Sequence, residues 1–128
     1  MNKKILRCKK CGSLLLPLTC KCEKEMCKDE DKPMEEIVPN TVDAAKEKHI
    51  PVYTLLGNHV HVEVGSTLHP MSEEHFIEWI MLETTNGVQI HFLKPGDEPT
   101  ADFYLAPGTG LVRLLAYCNL HGLWSKDI

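Results

Sequence analysis

Phe76-Ile77-Glu78-Trp79-Ile80-Met81-Leu82-Glu83-Thr84, then Thr85, Asn86-Gly87 and Val88-Gln89-Ile90-His91-Phe92-Leu93, reads as two β-strands joined by a hairpin turn. Its β-branched and aromatic residues suit a pleated, half-buried surface, and Asn-Gly is a strong signal for a tight hairpin. The same texture extends outward in both directions. Upstream, His59-Val60-His61-Val62-Glu63-Val64 alternates polar residues with valine, as a half-buried strand does, and Gly57-Asn58 separates it from Val52 to Leu56. Downstream, Lys94-Pro95-Gly96-Asp97 leads to a strand from Ala101 to Leu105, and Pro107-Gly108-Thr109-Gly110 leads to Leu111 to Tyr117, the last strand expected. Short strands with frequent turns predict an all-β antiparallel sandwich of about seven strands. Helix is expected only over Asp43 to Lys48, ending before His49-Ile50-Pro51 because the residue preceding proline avoids the helical region.

The 128 residues suffice for one ordinary domain, or a compact domain with a small appendage. With 43% hydrophobic and 25% charged residues the composition is that of a soluble globular protein. A net charge of −4 provides no general basic surface for nucleic acid. No apolar run approaches the roughly 20 residues that span a bilayer. Met1 to Arg7 begins like a signal peptide, but Arg7, Lys9 and Lys10 interrupt any apolar region, so a cytoplasmic location is expected.

Five of the six cysteines crowd into Cys8 to Cys27, and Cys118 stands apart. In a chain without an export signal, Cys8-x-x-Cys11 reads as metal ligation or redox chemistry before structural disulfides. Residues 1–36 are expected to form a small unit in which Leu14, Leu15, Leu16 and Leu18 bury little, so that a metal would staple it. Lys21 to Glu36, charged and containing Pro33, reads as a turn-rich connector to the larger domain, residues 37–128.

Cys118-Asn119-Leu120-His121 places a thiol and an imidazole three residues apart, able to turn toward one metal ion from a loop. His49 precedes the first strand of the larger domain, His69 and His75 flank the loop before the long strand, and Cys118 and His121 follow the last. Such loops meet at one end of a sandwich. Four imidazoles and one thiolate make five ligands; zinc prefers four, so five argue for iron with one position open. Each histidine taken singly reads as a surface or satisfied core residue, and Cys118 as a small buried hydrophobe. His59, His61 and His91 fall on the solvent faces of strands. Glu47 and Lys48 by themselves read as a solvated pair at a helix end.

Five stretches nevertheless form a joint pattern: Glu47-Lys48-His49-Ile50-Pro51, His69-Pro70-Met71, Glu74-His75-Phe76-Ile77-Glu78-Trp79, Leu93-Lys94-Pro95-Gly96-Asp97 and Cys118-Asn119-Leu120-His121-Gly122-Leu123-Trp124. Together they resemble superoxide reductase, and more closely its two-centre desulfoferrodoxin form. The resemblance covers residues 33 to 128. It implies a seven-stranded antiparallel immunoglobulin-like β-sandwich preceded by a small metal-binding, desulforedoxin-like domain. It also implies an iron, cycling between Fe2+ and Fe3+, held by His49, His69, His75, His121 and Cys118. The implied reaction is one-electron reduction of superoxide to hydrogen peroxide, with electrons from rubredoxin or a similar donor. Lys48 would steer superoxide and order a proton-donating water, and Glu47 would be the carboxylate that approaches the ferric iron after turnover. A homodimer is implied as well. A non-catalytic iron-binding electron-transfer protein is the alternative.

The N-terminal part departs from the family pattern. Cys8-Lys9-Lys10-Cys11 matches its first half, but Asp29 and Glu30 stand where two adjacent cysteines would fall. Cys20, Cys22 and Cys27 are three candidates for two places, and spacing favours Cys22 and Cys27. Iron, zinc, an altered geometry or an empty second centre all stay open.

Overall fold

The computed structural model describes residues 3–19 and 33–128. The chain divides into two compact units, Met1–Val38 and Pro39–Ile128. In the first, strands β1 (Ile5–Cys8), β2 (Leu14–Leu15) and β3 (Met34–Ile37) form an antiparallel sheet in the order β2-β1-β3. Ile5 is its buried residue. Met34–Ile37 is therefore a strand where the sequence suggested connector. Its two carboxylates mask the strand pattern, and the partner strand answers them: Arg7 meets Glu35 at 2.8 Å, and Lys4, just before β1, reaches Glu36 at 3.7 Å. These pairs are exposed and contribute little energy, so they select register more than stability.

The second unit carries a short helix, α1 (Lys46–His49), and strands β4 (Pro51–Leu56), β5 (His59–Val64), β6 (Ile77–Thr84), β7 (Gly87–Phe92), β8 (Thr100–Tyr104), β9 (Leu111–Cys118) and β10 (Gly122–Asp127). All pair antiparallel, in one sheet ordered β10-β9-β6-β7 and another ordered β4-β5-β8. The all-β sandwich expected from the sequence is the observed architecture. Its core is built from the inward faces of both sheets: Val60, Val62 and Val64 of β5 and Ala101 and Phe103 of β8 meet Ile77, Ile80 and Leu82 of β6 and Leu114, Ala116 and Cys118 of β9. The valine alternation of β5 thus has the face it implied, with His59, His61 and Glu63 turned outward.

The helix covers Lys46–His49 where Asp43 to Lys48 was expected, and two further details differ from expectation. Gly87 is already paired with Thr84, so the hairpin turns at Thr85-Asn86, one residue early; the Thr84 hydroxyl lies 3.0 Å from Asn86 Oδ1 and 3.1 Å from the Gly87 carbonyl oxygen. Leu111–Cys118 is not the last strand. Gly122, at φ 78°, reverses the chain after Cys118, and β10 returns along β9 from Gly122↔Cys118 to Asp127↔Arg113. That left-handed backbone is accessible to glycine without a Cβ clash. Its consequence is to hold Cys118 through His121 as a tight turn at the sheet end.

Candidate metal centre

Helix α1 is short because Pro51 excludes helical backbone at Ile50, which sits at φ −72°, ψ 120°. The helix delivers His49, 2% exposed, with its Nδ1 2.6 Å from the Ala45 carbonyl oxygen. Its position depends on Gly65. A Cβ there would lie 2.6 Å from the Glu47 carbonyl oxygen and 2.8 Å from that of Ile50, and the Thr67 N–H bonds the same Glu47 oxygen at 2.9 Å. His69, 3% exposed, is fixed by its backbone N–H to the Val64 carbonyl at 2.7 Å and by Nδ1, 2.6 Å from the Pro70 carbonyl oxygen. His75 ends a loop closed by paired backbone bonds to Ser72, at 3.0 and 3.2 Å. Cys118, fully buried, and His121 come from the turn between β9 and β10.

Two residues to which the sequence reading assigned no role, Asn119 in that turn and Trp124 on β10, secure it. Asn119 accepts the Phe76 N–H on Oδ1 at 2.9 Å and donates Nδ2 to the Glu74 carbonyl at 3.0 Å, tying the turn to the His75 loop. Trp124 donates Nε1–H to the His121 carbonyl at 3.0 Å, and its buried ring lies 4.8 Å from that of His49. Both stand inside the quoted stretch Cys118 to Trp124, and only their contacts distinguish them from ordinary loop and core residues.

The four imidazoles form a square. Neighbouring ring centroids are 4.7 Å (His49–His69), 4.4 Å (His69–His75), 5.0 Å (His75–His121) and 5.0 Å (His121–His49), whereas His49 and His75 are 6.3 Å apart across the diagonal. Ligand atoms of His49, His75, Cys118 and His121 lie within 4.8 Å of one another, and Cys118 Sγ is 4.0 Å from His121 Nδ1. The inward nitrogens are crowded in a way that calls for a cation. His49 and His69 each commit Nδ1–H to a carbonyl, so their Nε2 lone pairs face each other across 3.2 Å, and His121 Nδ1 stands 3.2 Å from His49 Nε2 as well. Among the described residues, His75 Nε2 is a buried side-chain nitrogen with no hydrogen-bond partner. Buried polar atoms are rarely left so unless something further is bound.

Electrostatics agree. Burial is the main cause that pushes His49 and His75 below the usual imidazole range and His69 down to about 4, so all three rings are neutral near pH 7, the form that ligates metal. Burial raises the Cys118 thiol, which would lose its proton when a cation arrives. Four imidazoles and one thiolate select borderline to soft transition ions. The residues present fit a resident metal.

Glu47 and Lys48 are both exposed. The Lys48 charge contributes to the lowering at His75, and the Glu47 charge opposes that at His49, so both act on the ring square electrostatically. In the N-terminal unit, Cys8 and Cys11 share a turn in which the Gly12 N–H bonds the Cys8 carbonyl at 2.9 Å, and Cys11 Sγ lies 3.2 Å from Ser13 Oγ. That hydroxyl is the largest cause lowering the Cys11 thiol below its ordinary range. Cys20, Cys22 and Cys27 lie outside the described residues.

Known proteins share this chain's sequence and fold. A desulfoferrodoxin from Syntrophotalea carbinolica is 43% identical over 96% of this chain and 94% of its own length. A superoxide reductase from Pyrococcus horikoshii is 37% identical over 64% of this chain and 86% of its own length. Among solved structures, a superoxide reductase from Treponema pallidum superposes with a TM-score of 0.77 at 32% identity, covering 99% of this chain and all of that one. The desulfoferrodoxin family model matches residues 41–127, a span that includes every member of the ring square and Cys118, and the chain belongs to that family.

Proposed function

We propose that the protein is a superoxide reductase, with one iron held by His49, His69, His75, His121 and Cys118. The observation that carries this reading is the square of inward-facing imidazoles beside a buried thiol, with the Nε2 atoms of His49 and His69 opposed at 3.2 Å and His75 Nε2 unpartnered. Iron, when bound, supplies the single electron in the reaction superoxide plus one electron plus two protons to hydrogen peroxide.

The chain's own residues supply the rest. Cys118 gives up its proton on metal binding, and its thiolate sets the electron-rich side of the site. The Nδ1 contacts of His49 and His69 hold both rings in the tautomer that offers Nε2 inward. The buried Trp124 ring covers His49 and holds the His121 carbonyl. Lys48, whose charge reaches His75, attracts the superoxide anion and orders a proton-donating water. Glu47 is the carboxylate that approaches once substrate has left.

Electrons come from a rubredoxin-like donor, and the protein acts as a homodimer in the cytoplasm; no described helix is long and apolar enough to cross a membrane. Residues 1–36 form a desulforedoxin-like domain and residues 37–128 the catalytic domain, with Cys8 and Cys11 contributing to a second iron or zinc centre completed by two of Cys20, Cys22 and Cys27.

Metal analysis and visible spectra of oxidised and reduced protein, followed by rapid mixing of the reduced form with superoxide, test the proposal. A thiolate-to-iron absorption band that bleaches on reduction, returns with superoxide and yields peroxide without dioxygen supports it. An iron that does not respond to superoxide sinks it and leaves an electron-transfer protein.

A further inference from the structure

The outward face of the β4-β5-β8 sheet carries a second cluster of metal-type donors, made from residues outside the ring square. His59 and His61 are two apart on β5 and so project from the same face. The register of β5 and β8 sets Asp102 directly opposite His61, and Tyr104 opposite His59. His59 Nε2 and His61 Nδ1 both lie 2.7 Å from the same oxygen, Asp102 Oδ1. One ligand atom from each of the three residues falls within 4.8 Å of the other two. The His59 ring is steadied by stacking on Tyr104, with centroids 5.0 Å apart and planes 16° apart.

The second nitrogen of His61 decides what the cluster wants. Nε2 stands 3.4 Å from Glu63 Oε1. A His61 ring that gives its one neutral-state proton to Glu63 turns a bare Nδ1 lone pair toward the Asp102 carboxylate, which only a cation can bridge. A proton is one such cation, and the Asp102 hydrogen bond accordingly raises His61 above the ordinary histidine range while lowering Asp102. A divalent metal is the other. Imidazole ligands that pass their remaining N–H to a carboxylate are the common arrangement around protein-bound metals. Asp102 also borders an open cleft of about 420 Å³ whose wall includes Asp97 and Glu98, carboxylates that draw cations to this side of the sheet.

We propose that His59, His61 and Asp102 bind a divalent borderline transition ion, Zn2+ being the probe, at a position separate from the iron site, with Glu63 orienting His61. Two imidazoles and a carboxylate are a familiar zinc donor set, with water completing the shell on this exposed face. In a tetrahedral site with bonds of about 2.0–2.2 Å, donors stand roughly 3.3 Å apart. The rings therefore swing back from Asp102 Oδ1 by roughly 0.6 Å, a movement open to exposed side chains. The bound ion would bridge β5 to β8. This inference stands whether or not the iron centre reduces superoxide.

The test is calorimetric titration of the iron-loaded full-length protein with Zn2+, comparing wild type with Asp102→Asn and His61→Ala. Cysteines of the N-terminal unit would also compete for zinc, so the difference between variants is the readout. Losing an orienting partner alone weakens metal affinity about 10- to 100-fold, so loss of a ligand should weaken Zn2+ binding at this position by at least about tenfold. Iron content and the visible band stay unchanged. Equal zinc uptake and affinity in all three proteins overturns the proposal. In unsubstituted protein, added Zn2+ is expected to shift the ring signals of His59 and His61 in NMR spectra; signals that stay put at saturating Zn2+ overturn it without recourse to any variant.

Discussion

Asn119 Oδ1 accepts the Phe76 N–H at 2.9 Å, across a gap of 43 residues in sequence, while the same side chain donates to the Glu74 carbonyl at 3.0 Å. That amide, together with the Asn119 backbone N–H on the Phe76 carbonyl at 3.2 Å, ties the turn that carries Cys118 and His121 to the loop that carries His75. Replacing its side chain should loosen the ring square without removing a ligand. Asn119→Ala is expected to keep the fold and to lower iron affinity about 10- to 100-fold, the range for losing an orienting partner. Iron retention against a competing chelator measures it, and unchanged retention would show that the loops hold their spacing without the amide.

Gly65→Ala should act through the backbone. Its Cβ would meet the Glu47 and Ile50 carbonyl oxygens at 2.6 and 2.8 Å, neither of which is the end of a flexible side chain. The segment bearing His49 must move. A loss of about 1–3 kcal/mol in urea unfolding is expected, together with faster iron release than from wild type.

Lys48 is exposed and its charge is felt at His75. Lys48→Gln should lower the second-order rate with superoxide by about tenfold at low ionic strength and flatten its dependence on salt, because screening acts on the attraction the lysine provides. Iron content should not change. A rate that retained its full salt dependence in the variant would remove Lys48 from the steering role.

Glu83 and Arg113 are cross-strand partners on β6 and β9, joined at 3.1 Å with side chains only 3% and 8% exposed. Arg113→Met removes the opposing charge from a buried carboxylate and should cost about 3–5 kcal/mol, whereas Glu83→Leu combined with Arg113→Met should recover most of that. Denaturant midpoints at unchanged slope give the comparison.

The residue pattern alone determined features whose physics is local. Period-two alternation in His59–Val64 put the valines inward because neighbouring side chains on a strand must face opposite ways. Pro51 stops the helix ahead of it because it restricts the residue before it, although the sequence put that end at Lys48 and the helix runs one residue further, to His49. Charge hid β3, and a motif rich in recognisable residues hid β10, since neither segment shows the alternation of an isolated strand. What only the tertiary structure decided was the distances and partners with which distant residues meet. His49 and His121 come from 72 positions apart to a 3.2 Å contact, and His61 finds Asp102 through strand register. No local propensity encodes such distances; they follow from how two sheets stack and which residue faces which across a strand pair. The same reason explains why His59 and His61 read as plain surface residues in the sequence and as a cluster of donors in the fold.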